Sequence, residues 1–211
     1  ISACLVGSEM CIRDRDVKIS NIFVTGLGCK KDETSISLTE DRKTLSILFD
    51  SFHLNLDQET KAALKICNIH IGLKIPKNVQ VAIVQMNFRG YTFLPHKALA
   101  SFVHSYFFGK NRVEKHRDFF IGPLDEEFML EAETNLNPQW SKCGEDEILT
   151  VHTRIAAKTS PHGEELIFAM DSLDGVVNIN EYHLLWRSCE SRGSGKNPLL
   201  TQLPRIKPQI R

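Results

Sequence analysis

Two carboxylates flanking a sugar can cleave a glycosidic bond, and carboxylate oxygens gathered in loops can hold Ca²⁺. The chain offers acids for both tasks in two clusters. Asp125, Glu126 and Glu127 follow a Gly122–Pro123 turn, and Asp171 and Asp174 lie in a second turn ending at Gly175. Glu126 and Asp171 are the pair that would serve hydrolysis. Asp125, Glu126, Asp171 and Asp174 are the set that would ligate Ca²⁺. Neither task is specified by spacing. The clusters lie far apart in the chain, the register is not that of an EF-hand loop, and Asp-Ser-Leu-Asp-Gly is what a tight turn asks for. The expectation is turn chemistry, no cofactor and no catalytic residue.

The other chemical groups are weaker still. Ser172 and Ser188 lack the context of a nucleophile elbow, and no glycine loop resembles a phosphate cradle. The eight histidines are scattered without His-x-His, His-Glu-x-x-His or Cys-x-x-Cys spacing, which argues against zinc. His70 and His152 fall opposite the apolar side of their strands and are expected to be exposed. Arg89 stands out because it interrupts an apolar run just before Gly90, which suggests a bulge that re-aims its side chain. Arg89 and Tyr91 are therefore the candidate ligand contacts, with an ion pair to a nearby acid as the plainer role for Arg89. Phe88, Tyr91, Phe93, Phe102, Tyr106, Phe107 and Phe108 could offer sugars a platform, but most are expected in the core.

Cys29, Cys67, Cys143 and Cys189 each end or interrupt an apolar run and adjoin glycine or polar turn residues. An even set placed this way predicts two disulfides and an oxidising compartment, against the alternative of buried free thiols in the cytosol. Four cysteines allow three connectivities. Sequential pairing, Cys29 with Cys67 and Cys143 with Cys189, is expected because each bridge would then staple one half of the domain. Cys4 and Cys11 are set aside. Residues 1–15 match nothing that follows and resemble the translation of a sequencing adapter, so a secretion signal is expected to be missing from this sequence.

The elements that must position these residues are strands. The chain has 211 residues, 42% hydrophobic and 25% charged, with no stretch long enough to span a membrane as a helix. Runs of β type recur at 17–25, 35–39, 44–49, 65–75, 79–94, 100–108, 116–121, 147–157, 166–170 and 181–189, with turn signals between them. Residues 65–75 and 147–157 alternate apolar with polar, as half-buried strands do. Residues 79–94 are apolar on both faces as far as Met86, which marks a central strand. Residues 57–64 are the one expected helical turn. About nine or ten strands predict a single all-β domain over residues 16–190, an antiparallel β-sandwich of jelly-roll-like or immunoglobulin-like outline. Residues 191–211 hold Arg192, Lys196, Arg205, Lys207 and Arg211 without an acid, on a chain of zero net charge, so the body carries an excess of acids. That basic tail reads as flexible and solvated, with a polyanion or mineral surface as its possible contact.

Seven short motifs occur in order: Gly28-Cys29; Cys67 within its strand; Asn87-Phe88-Arg89-Gly90-Tyr91; Phe120-Ile121-Gly122-Pro123; Cys143-Gly144-Glu145-Asp146; Met170 through Gly175; and Trp186-Arg187-Ser188-Cys189. As a set over residues 17–190 they resemble the secreted family known as domain of unknown function four-three-six-zero. The resemblance implies a small secreted, cysteine-paired β protein and brings no activity. Three functional expectations remain. The first is a non-enzymatic extracellular scaffold that self-associates or templates an anionic mineral such as silica. The second is a lectin-like carbohydrate-binding module, and the third a hydrolase. Nucleic acid is not expected as a partner.

Overall fold

The computed structural model describes residues 17–110, 114–133, 138–170 and 179–189. Twelve strands run through them: β1 Lys18–Thr25, β2 Thr34–Leu38, β3 Thr44–Phe49, β4 His53–Leu56, β5 Ala62–Lys74, β6 Val79–Leu94, β7 Leu99–Phe108, β8 Glu114–Ile121, β9 Leu124–Glu133, β10 Glu147–Lys158, β11 Leu166–Ala169 and β12 Ile179–Ser188. Every pairing between them is antiparallel. Sheet one has the order β1-β5-β10-β7-β8. Sheet two has the order β2-β3-β12-β6-β11-β4, with β9 on the other edge of β6.

The two sheets share one apolar core because alternate side chains of each strand point the same way. Ile69, Ile71 and Leu73 of β5 and Leu149, Val151 and Ile155 of β10 are fully buried from sheet one, as their alternation predicts. Leu45 and Ile47 of β3 and Phe88 of β6 are buried from sheet two. Phe88 meets Phe102 across the core at 4.9 Å, and Phe120, Phe128 and Phe168 pack at centroid distances of 4.7–5.6 Å. Each such ring contributes about 1.5–3 kcal/mol through burial. Gly90 belongs to this packing: a Cβ there would run into the Phe128 ring and the Ala169 carbonyl.

Two disulfides close the structure in the expected sequential pairing. Cys29–Cys67 ties the loop after β1 to β5, and Cys143–Cys189 ties the loop before β10 to the end of β12. In the chain-entropy picture each is worth about 4 kcal/mol against the unfolded state.

Three expectations need correction. Residues 57–64 are not helical. The Asp57 carboxylate accepts the backbone N–H groups of Glu59 and Thr60 at 2.9 and 2.7 Å, and this turn leads directly into β5. The only helical segment among the described residues is a single 3-10 turn at Lys31–Glu33. Twelve strands replace nine or ten, because β4 is only four residues long and β9 opens on three consecutive acids that mimic a loop. Gly122–Pro123 does end β8, but the chain resumes at once in the other sheet as β9.

Candidate functional site

The central strand β6 decides which side chains reach solvent from sheet two. Against β12 its register shifts: His183 pairs with Gln85 and Leu184 with Ile83, so Val84 is an extra residue. Before this bulge Val81 and Ile83 point inward and are fully buried. After it the inward set is Met86, Phe88, Gly90, Thr92 and Leu94, and the outward set is Asn87, Arg89, Tyr91 and Phe93. Without the extra residue the phase would place Arg89 in the core. The sequence therefore led to the right device at the wrong position. The β6–β9 ladder is regular from Gln85 to Leu94, and Arg89 sits in it opposite Met129 with its side chain exposed.

Around Arg89 the outer face of sheet two is polar and acidic. The Gln85 amide donates to Asn87 Oδ1 at 3.0 Å, and the Asn87 amide meets His183 Nε2 at 3.1 Å. The Tyr91 hydroxyl donates to Asp125 Oδ1 at 2.6 Å, which aligns that ring along the face. Glu127, Glu131 and Glu133 stand beside these residues from β9, and Glu181 from β12. Trp140 covers the end of the face near Ala82, with the Arg187 guanidinium 3.9 Å from its ring centroid.

The outer face of sheet one differs in kind. Lys18, Lys74, Lys115, Arg117, Arg154 and Lys158 point outward from its strands, and no acid does. At one end Leu64, Leu99, Phe119 and Ile121 form an exposed apolar area, and Phe119 and Ile121 keep 69% and 65% of their surface in water. In its middle lie His70 and His152, which are half-buried rather than exposed, because neighbouring strands supply partners. His152 Nδ1 donates to Asn68 Oδ1 at 2.6 Å, and His70 Nδ1 lies 3.1 Å from Thr150 Oγ1. Phe107 stacks on His152 at 5.8 Å. Burial, and then the neighbouring His70, lower the His152 pKa.

Beneath this face His104 is fully buried, with Nδ1 3.1 Å from Thr153 Oγ1 and its ring 4.7 Å from Phe88. Burial chiefly, with His116 and His152 adding, pushes its pKa down to about 3. It stays neutral in the fold. Burial drives the hydroxyls of Tyr106 and Tyr182 upward in pKa.

The sequence-predicted site residues are thus partly brought together. Arg89, Tyr91 and Asp125 share one face. Asp125 and Glu126 lie in β9 and not in a loop, and Glu126 points to the opposite side of that strand from Asp125 and Glu127. Asp171 and Asp174 fall outside the described residues, as do Cys4, Cys11 and the tail cations Arg192, Lys196, Arg205, Lys207 and Arg211. Among the described residues no group of three metal-binding side chains converges. Of the aromatic set, Phe88, Phe102, Tyr106 and Phe108 are core, whereas Tyr91 and Phe93 lie on the outer face. The acids of β9 had a findable signal. Glu127, Met129, Glu131 and Glu133 alternate with Phe128, Leu130 and Ala132 at the period of a strand.

Two antiparallel sheets over a common core, stapled by two disulfides, define a secreted all-β protein of the β-sandwich class. The chain belongs to the family described as Domain of unknown function (DUF4360), whose pattern it matches over residues 15–189. A relative from Arthroderma benhamiae (strain ATCC MYA-4681 / CBS 112371), described as an uncharacterized secreted protein, is 26% identical over 178 residues, 82% of this chain and 72% of its own length. No helix among the described residues is long and apolar enough to cross a membrane. Among solved structures, TmCBM61 in complex with β-1,4-galactotriose overlaps 79% of this chain and 88% of its own, with a TM-score of 0.33 and 9% identity.

Proposed function

We propose that this secreted protein is a non-catalytic polysaccharide-binding protein whose contact surface is the outer face of sheet two. One observation carries the reading. The bulge at Val84 turns the outward row of β6 into Asn87, Arg89, Tyr91 and Phe93, flanked by amide, imidazole and carboxylate groups of β12 and β9. Alternate residues on a strand repeat every ~6.7 Å. A hydroxyl-rich polymer lying along β6 therefore meets, at each step, a planar donor, a ring or an acceptor. The surplus of acids favours a neutral glycan over an anionic one.

Binding is favoured over hydrolysis because Glu126, one half of the expected acid pair, points away from Arg89 and Tyr91. The mineral-templating expectation rested on the basic tail, which lies outside the described residues, and has no support from the geometry.

Affinity electrophoresis through gels containing neutral or acidic polysaccharides tests the reading. A neutral polymer should retard the native chain. Arg89→Ala and Tyr91→Ala should each weaken retention about tenfold, near 1.4 kcal/mol, and Phe119→Ser on the far face should leave it unchanged. Migration unaffected by every polymer, or retention that survives the double substitution, rejects it.

A further inference from the structure

We propose that the two outer faces bind each other, with sheet one of one molecule stacking on sheet two of the next. Every charged side chain that the strands of sheet one send outward is a cation, Lys115, Arg117, Arg154 and Lys158 among them. The facing strands of sheet two carry Asp125, Glu127, Glu131, Glu133 and Glu181, against the two cations Arg89 and Arg187. Like faces repel and unlike faces attract, so the contact is head to tail and not a two-fold dimer.

Apolar surface follows the same pairing. Phe119, Ile121, Leu99 and Leu64 are exposed on sheet one, and Met129, Leu185 and Phe93 are 54%, 47% and 38% exposed on sheet two. Area suffices as well. Five strands at ~4.8 Å spacing and ~10 residues at ~3.4 Å give roughly 800 Å² per partner, the size of a standard stable interface. A heterologous contact of this kind repeats, so association extends into linear oligomers. This inference does not rest on the polysaccharide reading. A glycan bound on sheet two would compete with the contact.

Sedimentation velocity of the full chain over a range of concentrations is the test. At low salt the average sedimentation coefficient should rise with concentration, and molar salt should return it to the monomer value. Lys115→Glu/Arg117→Glu/Arg154→Glu/Lys158→Glu makes both faces acidic, and Glu127→Lys/Glu131→Lys makes both faces basic. Each variant alone should be monomeric, and an equimolar mixture should associate again because the faces once more alternate in sign. Far-UV circular dichroism and thermal unfolding confirm that each variant is folded. A native chain that stays monomeric at low salt overturns the proposal, including one whose sheet one instead captures acidic polysaccharide or anionic vesicles. So does association that survives in either variant, which would place the contact elsewhere, or a mixture that fails to associate.

Discussion

The two outer faces of this sandwich are built alike and carry opposite chemistry. Both consist of alternate side chains on long antiparallel strands over one shared core. Sheet one shows water six cations, no acids and a cluster of large apolar side chains. Sheet two shows five acids, two cations, amides and an aligned tyrosine. Strand period confines packing to every second residue, so the residues between are free to diverge. The interior therefore reports on folding, and the contrast between the exteriors reports on what the protein meets.

The sharpest way to break that contrast is to attack the alternation that creates it, at two adjacent residues of β6. Phe88 is fully buried, 4.9 Å from Phe102 and 4.7 Å from the His104 ring. Phe88→Ala should cost about 3–5 kcal/mol, the usual loss for a core aromatic. Arg89→Ala, one residue on and exposed, should change stability by no more than about 0.5 kcal/mol. Urea unfolding at neutral pH measures both. Comparable losses at the two positions would mean that the bulge at Val84 does not set the phase of the strand.

How far the sequence reveals these faces depends on strand context. Lys65 to Ile75 and Glu147 to Ala157 alternate cleanly, and their inward and outward sides are read correctly. The cysteine pairing is legible too, because each bridge joins neighbours within one half of the chain. Three features are not. The four-residue β4 is too short to show a period. The acids leading β9 imitate a loop after Gly122–Pro123 and mask the alternation that follows from Glu127 to Glu133. The bulge at Val84 hides in a run that is apolar on both faces, where one extra residue leaves no trace in the pattern. The polarity between the faces escapes because it is a property of register. Arg117, Arg154 and Lys158 are scattered in sequence, and only pairing across β8, β7 and β10 places them on one surface.

Acid provides a second, smaller probe, and it acts on sheet one. His104 is neutral in the fold, held down to about 3 mainly by burial, whereas an ordinary histidine titrates near 6.5. Between these values the unfolded chain binds a proton that the native chain refuses. Stability is therefore whole above about pH 6.5, falls as the pH drops through that value, and goes on falling until about pH 3. From 6.5 to roughly pH 5 the loss should be about 2 kcal/mol, at 1.36 kcal/mol per pH unit. His152, also lowered, adds in the same direction. Urea midpoints of the native chain and of His104→Gln, compared across this range, check it. The variant should start less stable at neutral pH and lose less on acidification. Parallel pH profiles for the two proteins would place the sensitivity elsewhere.

The smallest expected effect compares one arginine–aromatic pair on each face. On sheet two the Arg187 guanidinium lies 3.9 Å from the Trp140 ring centroid and is oriented by its Nε–H bond to Gln80 Oε1 at 3.1 Å. On sheet one Arg117 lies 5.9 Å from the Phe119 ring, which is largely in water. Indole is the better π partner, and the attraction fades near 6 Å, so the first pair should couple by about 0.5–1 kcal/mol and the second by much less. Single truncations would confound this, because Arg187→Ala also removes the bond to Gln80. A double-mutant cycle with Arg187→Ala and Trp140→Leu cancels that loss and leaves the pairwise energy. The matching cycle uses Arg117→Ala and Phe119→Leu. A larger coupling on sheet two means that its arginine is already engaged with its own face, whereas Arg117 stays available for a partner. Equal couplings would remove that distinction and weaken the case for sheet one as the face that seeks an acidic surface.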